Sequence, residues 1–152
     1  MIEGVDTYDI LADKTSMRWP MHVVLANGCF DILHIGHVEH LKQARAMGDK
    51  LIVALTHDAF VNKGPNRPIN NWAARAEVLR ELRCVDEVIG SDSAMAAIRL
   101  LKPTYFVKGA DYADGAHWTE DVLAACEEVG TLIKFTTTTK ISATDIIRKA
   151  MA

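Results

Sequence analysis

The sequence lacks a basic surplus. Lysine and arginine number 17 against 20 aspartates and glutamates, a formal net charge of -3 over 152 residues. A dedicated nucleic-acid binder usually carries the opposite balance, because phosphate neutralisation supplies much of its affinity. A nucleotide site needs only a few local cations and stays open. No apolar run approaches the roughly 20 residues that a membrane-spanning helix requires. The acidic, mixed N-terminus is unlike a signal peptide. Cysteine is scarce: Cys29, Cys84 and Cys126 follow no metal-ligand spacing. Their odd number fits reduced thiols in a cytoplasmic protein better than a disulfide framework. Internal repeats and low-complexity segments are absent too.

What is present is a length suited to one domain and an apolar content of 49%, enough for a sizeable core. Residues 1–20 read as a weakly patterned N-terminal extension, with a short helix expected over Tyr8–Leu11 and Pro20 as punctuation. From residue 21 to 152, short apolar runs alternate with amphipathic stretches. The runs predict strands over His22–Ala26, Leu51–Leu55, Val85–Ile89, Tyr105–Val107 and Leu132–Phe135. The amphipathic stretches predict helices over Gly36–Met47, Asn71–Arg83, Ser91–Leu101, Thr119–Val129 and Ser142–Met151. Gly48 and Gly130 supply stop signals, Ser91 or Ser93 opens the third helix, and His57–Asn70 reads as a polar loop. This alternation predicts an α/β fold, a single Rossmann-like domain with a five-stranded parallel sheet and helices on both faces. In such sheets ligands sit beyond the carboxyl ends of the strands. The chemistry is therefore expected in Asn27–His37, Thr56–Asn70, Lys108–His117 and Thr136–Thr144.

The first of these segments is the most informative. Asn27-Gly28-Cys29-Phe30-Asp31 leads through Ile32 and Leu33 into His34-Ile35-Gly36-His37. A strand that turns through glycine into a helix presents free N–H groups and the positive end of the helix dipole, which suit a phosphate. Gly28 and Gly36 let the backbone come close to an anion. His34 and His37 are three apart, so both rings can face one point and donate hydrogen bonds as charge develops on a phosphoryl group. Cys29 suits packing. Asp31 suits a turn or capping carboxylate as well as a substrate contact. A zinc site on His34, His37 and His40 is disfavoured, because three such residues drift around the helix axis and no cysteine pair completes a cage.

Gly28-Cys29-Phe30-Asp31 followed by His34-Ile35-Gly36-His37 resembles the signature of the cytidylyltransferase-like nucleotidyltransferases, and the resemblance runs from about His22 to Arg148. It implies a soluble enzyme whose partners are a nucleoside triphosphate and a phosphorylated small molecule, with no nucleic acid or membrane; a homodimer stays open. His34, His37 and Lys63 are its implied catalytic residues. Gly28, Cys29, Phe30, Gly36, Arg75, Lys108, Gly109, Asp111, Ser142 and Thr144 are implied at the nucleotide, and Asp31, Arg67 and Tyr112 at the acceptor. Mg²⁺ is expected with the triphosphate, held mainly by phosphate and water, and no protein metal site is implied. Lys140-Ile141-Ser142-Ala143-Thr144 is similar to the family's pyrophosphate-holding motif. Ala143 departs from its usual hydroxyl residue, and Thr136–Thr139 stand where one branch often has an arginine.

Lys108-Gly109-Ala110-Asp111-Tyr112 and the Arg67-Pro68 pair are more similar to the adenylyltransferase domain of ADP-heptose synthase than to glycerol-3-phosphate cytidylyltransferase. ATP and a sugar phosphate are therefore the expected substrates, with CTP and a polyol phosphate as the alternative. Two other classes compete. His34-Ile35-Gly36-His37 also matches an aminoacyl-tRNA synthetase signature, but the chain is short for an amino-acid pocket plus a tRNA-binding region. A non-catalytic nucleotide sensor would keep the glycines without needing His34, His37 and Lys63 together.

Overall fold

The computed structural model describes residues 21–110 and 119–152. The strands are β1 (Val23–Gly28), β2 (Lys50–Thr56), β3 (Glu87–Ser91), β4 (Tyr105–Gly109) and β5 (Leu132–Thr136). The helices are α1 (Ile35–Ala46), α2 (Trp72–Arg80), α3 (Ala94–Leu101), α4 (Glu120–Val129) and α5 (Ala143–Ala150), with a 3₁₀ turn at Asp58–Phe60. All the strand pairs are parallel, in the order β3-β2-β1-β4-β5. The expected Rossmann-like α/β architecture is what is observed. The order reverses between β1 and β4, so a crevice opens beyond their carboxyl ends. Among the described residues no helix is long and apolar enough to cross a membrane.

Alternation along the strands builds the two cores. Val24 and Ala26 of β1, with Leu51, Val53 and Leu55 of β2, face Leu41 and Ala44 of α1 and Ala76 and Leu79 of α2. Leu25 and Ala54 point the other way, with Phe106, onto Ala97 and Ile98 of α3 and Ala125 and Cys126 of α4. A strand buried on both faces has no polar side to show, which is why β1 and β2 read as continuous apolar runs. Each leucine fully buried there contributes about 1.5–3 kcal/mol.

Local chemistry sets the helix starts. Asn71, Ser93, Thr119 and Ser142 are N-caps whose side-chain oxygens accept the N–H three residues on. Ser93 is thus the opener of α3, while Ser91 closes β3 and donates its hydroxyl to Ser93 O at 2.6 Å. Gly130 ends α4 in the left-handed conformation at φ 78°. Gly48 has another reason to be glycine: α1 already ends at Ala46 with Met47 as its cap, and a Cβ on residue 48 would lie 2.6 Å from His22 O.

Several boundaries differ from the sequence expectation. β1 runs on to Gly28 because Asn27 and Gly28 still pair with Ala54 and Leu55. β4 runs on to Gly109 because Lys108 and Gly109 pair with Phe135 and Thr136. α2 stops at Arg80, three residues early, and its cap Glu81 leads into turns rather than a further helical turn.

Candidate active site

After Gly28 the chain turns sharply. Phe30 is left-handed at φ 50° and only 8% exposed, and its ring meets that of His37 edge-on at 5.1 Å. A side chain on residue 28 would strike this ring, with a Cβ 3.1 Å from Phe30 Cε2. The turn delivers the chain to α1, whose N-cap is His34 and whose third residue is His37. A capping box ordinarily pairs Ser or Thr with Glu or Gln. Here two imidazoles perform it. His37 N–H donates to His34 Nδ1 at 3.4 Å, and His34 N–H donates to His37 Nδ1 at 3.3 Å. The rings stack with centroids 3.7 Å apart and planes 20° from parallel.

This reciprocal cap fixes the tautomer. Both Nδ1 atoms accept, so each neutral ring carries its proton on Nε2. Burial lowers the His34 pKa. Burial, and then the charges of His34, His40 and Lys63, lower that of His37 from 6.5 to about 4. At neutral pH the pair is therefore two uncharged Nε2–H donors on the wall of the cleft. Gly36 lies between them, where a Cβ would be 2.9 Å from His34 Cε1 and 3.2 Å from Ile141 Cγ2. That position must be bare for the His34 ring and the segment before α5 to close on the start of α1.

The cleft has a volume of about 440 Å³, in the range of small-ligand sites. It brings together Gly28, Cys29, Phe30, Asp31, His34, Gly36, His37, Lys63, Arg67, Lys108, Gly109, Ser142 and Thr144. Lys63 stands exposed on the loop after β2. Lys108, at the end of β4, has its pKa lowered by burial and by the Lys63 charge. Ser142 caps α5, accepting from Asp145 N–H at 3.0 Å. Among the described residues a Cβ on Gly109 would meet nothing within 4 Å.

Three expected ligand contacts turn out to be engaged with the protein itself. Arg75 does not line the cleft. Its guanidinium is only 1% exposed and donates to Asn70 O and Cys29 O, both at 2.9 Å, and to Asp58. It bolts α2 to the β1–α1 turn. The Asp31 carboxylate accepts from Ile69 N–H and from Asn70 N–H at 3.0 Å. It holds the Ile69–Asn70 loop and also lines the cleft. Arg67 donates to Asp31 O, lies 3.5 Å from the Asp31 carboxylate and reaches Thr144 Oγ1 at 3.4 Å. It ties the β1–α1 turn to α5 while remaining on the cleft wall. Asp111 and Tyr112 lie outside the described residues.

Other residues join the lining: Asn27, His40, Thr56, Thr138, Ile141 and Ala143. Most of them fall within the segments expected to follow strands. His40 does not; its signal was its place three residues beyond His37 on one helix face. Its Nδ1 is 2.6 Å from Thr136 Oγ1, and burial followed by the Lys108 charge lowers its pKa to about 4. Among the described residues no three His, Cys, Asp or Glu side chains converge as a metal site.

The model of the cytidylyltransferase-like family matches residues 25–149 of this sequence, a span that contains every part of this cleft. The chain belongs to the cytidylyltransferase-like family. As a member of that family it is a nucleotidyltransferase. Bifunctional protein HldE of Azorhizobium caulinodans is 46% identical over 109 residues, covering 69% of this chain and 23% of that protein. Its counterpart in Shewanella sp. (strain ANA-3) is 43% identical over 133 residues, covering 83% of this chain and 27% of that protein. The chain thus spans 23–27% of the length of these two relatives. Among solved structures, the lipopolysaccharide core biosynthesis protein from Thermoplasma volcanium superposes with a TM-score of 0.64 at 29% identity, over 80% of this chain and 99% of that one. Pantoate-beta-alanine ligase from Francisella tularensis shares the fold, with a TM-score of 0.57 at 14% identity over 87% of this chain and 67% of that one.

Proposed function

We propose that this nucleotidyltransferase moves an adenylyl group from ATP to a sugar phosphate and releases pyrophosphate. The observation that carries the reading is the pair of neutral Nε2–H donors, His34 and His37, on one cleft wall with Lys63, Lys108 and the N-terminus of α5. An acceptor phosphate oxygen attacks the α-phosphorus in line. The new P–O bond forms as the bond to the β-phosphate breaks, so no covalent enzyme intermediate is needed. Catalysis is positioning and charge stabilisation. The two imidazoles and Lys63 meet charge developing around the α-phosphate. Ser142, Thr144 and the first free N–H groups of α5 hold the departing pyrophosphate.

Among the described residues no side chains form a cage for Mg²⁺. Asp31, the carboxylate in the lining, is engaged by Ile69, Asn70 and Arg67. A Mg²⁺ accompanying the triphosphate would be held mainly by phosphate and water and would offset phosphate charge.

The choice of ATP and a sugar phosphate draws on the similarity of residues 108–112 and of Arg67-Pro68 to the adenylyltransferase domain of ADP-heptose synthase. The 43–46% identity to the two HldE proteins supports it. Pyrophosphate release, measured with ATP and CTP against a panel of sugar and polyol phosphates, tests it. Turnover confined to ATP with a sugar phosphate is expected. Turnover with CTP and glycerol 3-phosphate selects the cytidylyltransferase alternative. Tight nucleotide binding with no turnover on any acceptor selects the sensor.

A further inference from the structure

Every residue of α5 is at least partly exposed, so the placement of its N-terminus leans on the segment that leads into it as well as on the Arg67 contact with Thr144. That segment, Thr137–Ile141, lies beyond the end of β5. It is fastened to α1 instead. Gln43 acts as a surrogate strand: its Oε1 accepts from Thr137 N–H at 3.0 Å and its Nε2 donates to Thr137 O at 2.7 Å. One turn earlier, Glu39 Oε1 accepts from Thr139 N–H at 2.7 Å and Oε2 accepts from the Thr139 hydroxyl at 3.1 Å. Residues 39 and 43 are four apart and share a helix face. Thr138, between the two tethers, lines the cleft, whereas Glu39 and Gln43 do not. The helix that begins with the His34/His37 pair therefore also carries the docking points for the far wall.

We propose that Glu39 and Gln43 are positioning residues for the leaving pyrophosphate. By docking the backbone of residues 137–139 onto α1, they set the Ser142–Thr144 turn in register with the imidazole pair on the same helix. The proposal rests on the reading of this cleft as a nucleotidyl-transfer site with pyrophosphate at Ser142 and Thr144.

Charge supplies a discriminating sign. Glu39 is an anion on the helix whose start faces phosphate. By Coulomb's law alone, removing it would favour a polyanionic ligand. Loss of docking acts in the opposite direction. The test uses the full chain as wild type, Glu39→Ala, Glu39→Gln and Gln43→Ala, with dissociation constants for ATP, CTP, inorganic pyrophosphate, AMP and CMP. Both alanine variants are expected to weaken pyrophosphate and the preferred triphosphate roughly tenfold, while the matching monophosphate stays within about twofold. Glu39→Gln, whose amide oxygen can still accept from Thr139 N–H, is expected within about threefold of wild type. The proposal is overturned if triphosphate binding is unchanged or tighter in the alanine variants. It is also overturned if monophosphate and triphosphate weaken equally, or if both are lost with a fall of more than about ten degrees in melting temperature. Wild-type chain that binds neither a triphosphate nor pyrophosphate overturns the underlying reading, and this proposal with it.

Discussion

At His34 one ring both caps a helix and lines the cleft, and the two positions can be probed separately. Asparagine is among the best N-cap residues, so His34→Asn keeps the start of α1 while removing the Nε2–H donor. The expected result is a melting temperature within about two degrees of wild type and a kcat lowered roughly a hundredfold, read by steady-state pyrophosphate release. His37→Ala is expected to lower kcat by a similar factor or more; an unchanged kcat would remove His37 from the mechanism. The same residues predict a pH dependence. His37 and His40 are held neutral in the fold, with pKa values lowered from 6.5 to about 4. In that interval the unfolded chain binds more protons than the folded one, so their stabilising contribution is complete above about pH 6.5 and is lost as pH falls toward 4. Urea midpoints measured from pH 7 to 4 should fall through this window. His40→Phe should flatten the decline.

At the scale of elements, Arg75 joins α2, the β1–α1 turn and the turn at Asp58. Arg75→Met, which keeps the bulk of the side chain and strands Cys29 O and Asn70 O, is expected to cost about 2–4 kcal/mol in urea unfolding. Its effect on the KM for nucleotide should be smaller than that of Lys63→Ala, since Arg75 has no face on the cleft. This arginine also shows where sequence reading ran out. The turn from β1 into α1 was legible because its glycines and histidines carry their meaning within eleven residues. Nothing local reveals that the Arg75 guanidinium has partners 5, 17 and 46 positions away. Asp31 was equally opaque, since its partners sit 38 and 39 residues downstream. Lys108 and Gly109 read as loop because the evidence that they are strand is their pairing with Phe135 and Thr136. The threonine run at 136–139 read as a missing arginine, and only the folded α1 shows it as a docked connection.

For the molecule as a whole, the two cores on opposite faces of the sheet set the stability. Leu25 lies wholly buried on one face and Leu41 on the other. Leu25→Ala and Leu41→Ala are each expected to cost about 2–5 kcal/mol, and because they sit on opposite sides of β1 their effects should add to within about 0.5 kcal/mol. Equilibrium unfolding of the single and double variants checks both statements. The strand order has a further result. The crevice at its reversal draws its wall from residues 27–40, 56–67, 108–109 and 138–144, contributions scattered across almost the whole described sequence. A chain emerging from the ribosome would hold the imidazole pair early, yet its cleft would lack the wall at Ser142 and Thr144 until those residues had cleared the exit tunnel. Nucleotide capture by nascent chains of increasing length should therefore switch on late and abruptly, as a readout of completed folding.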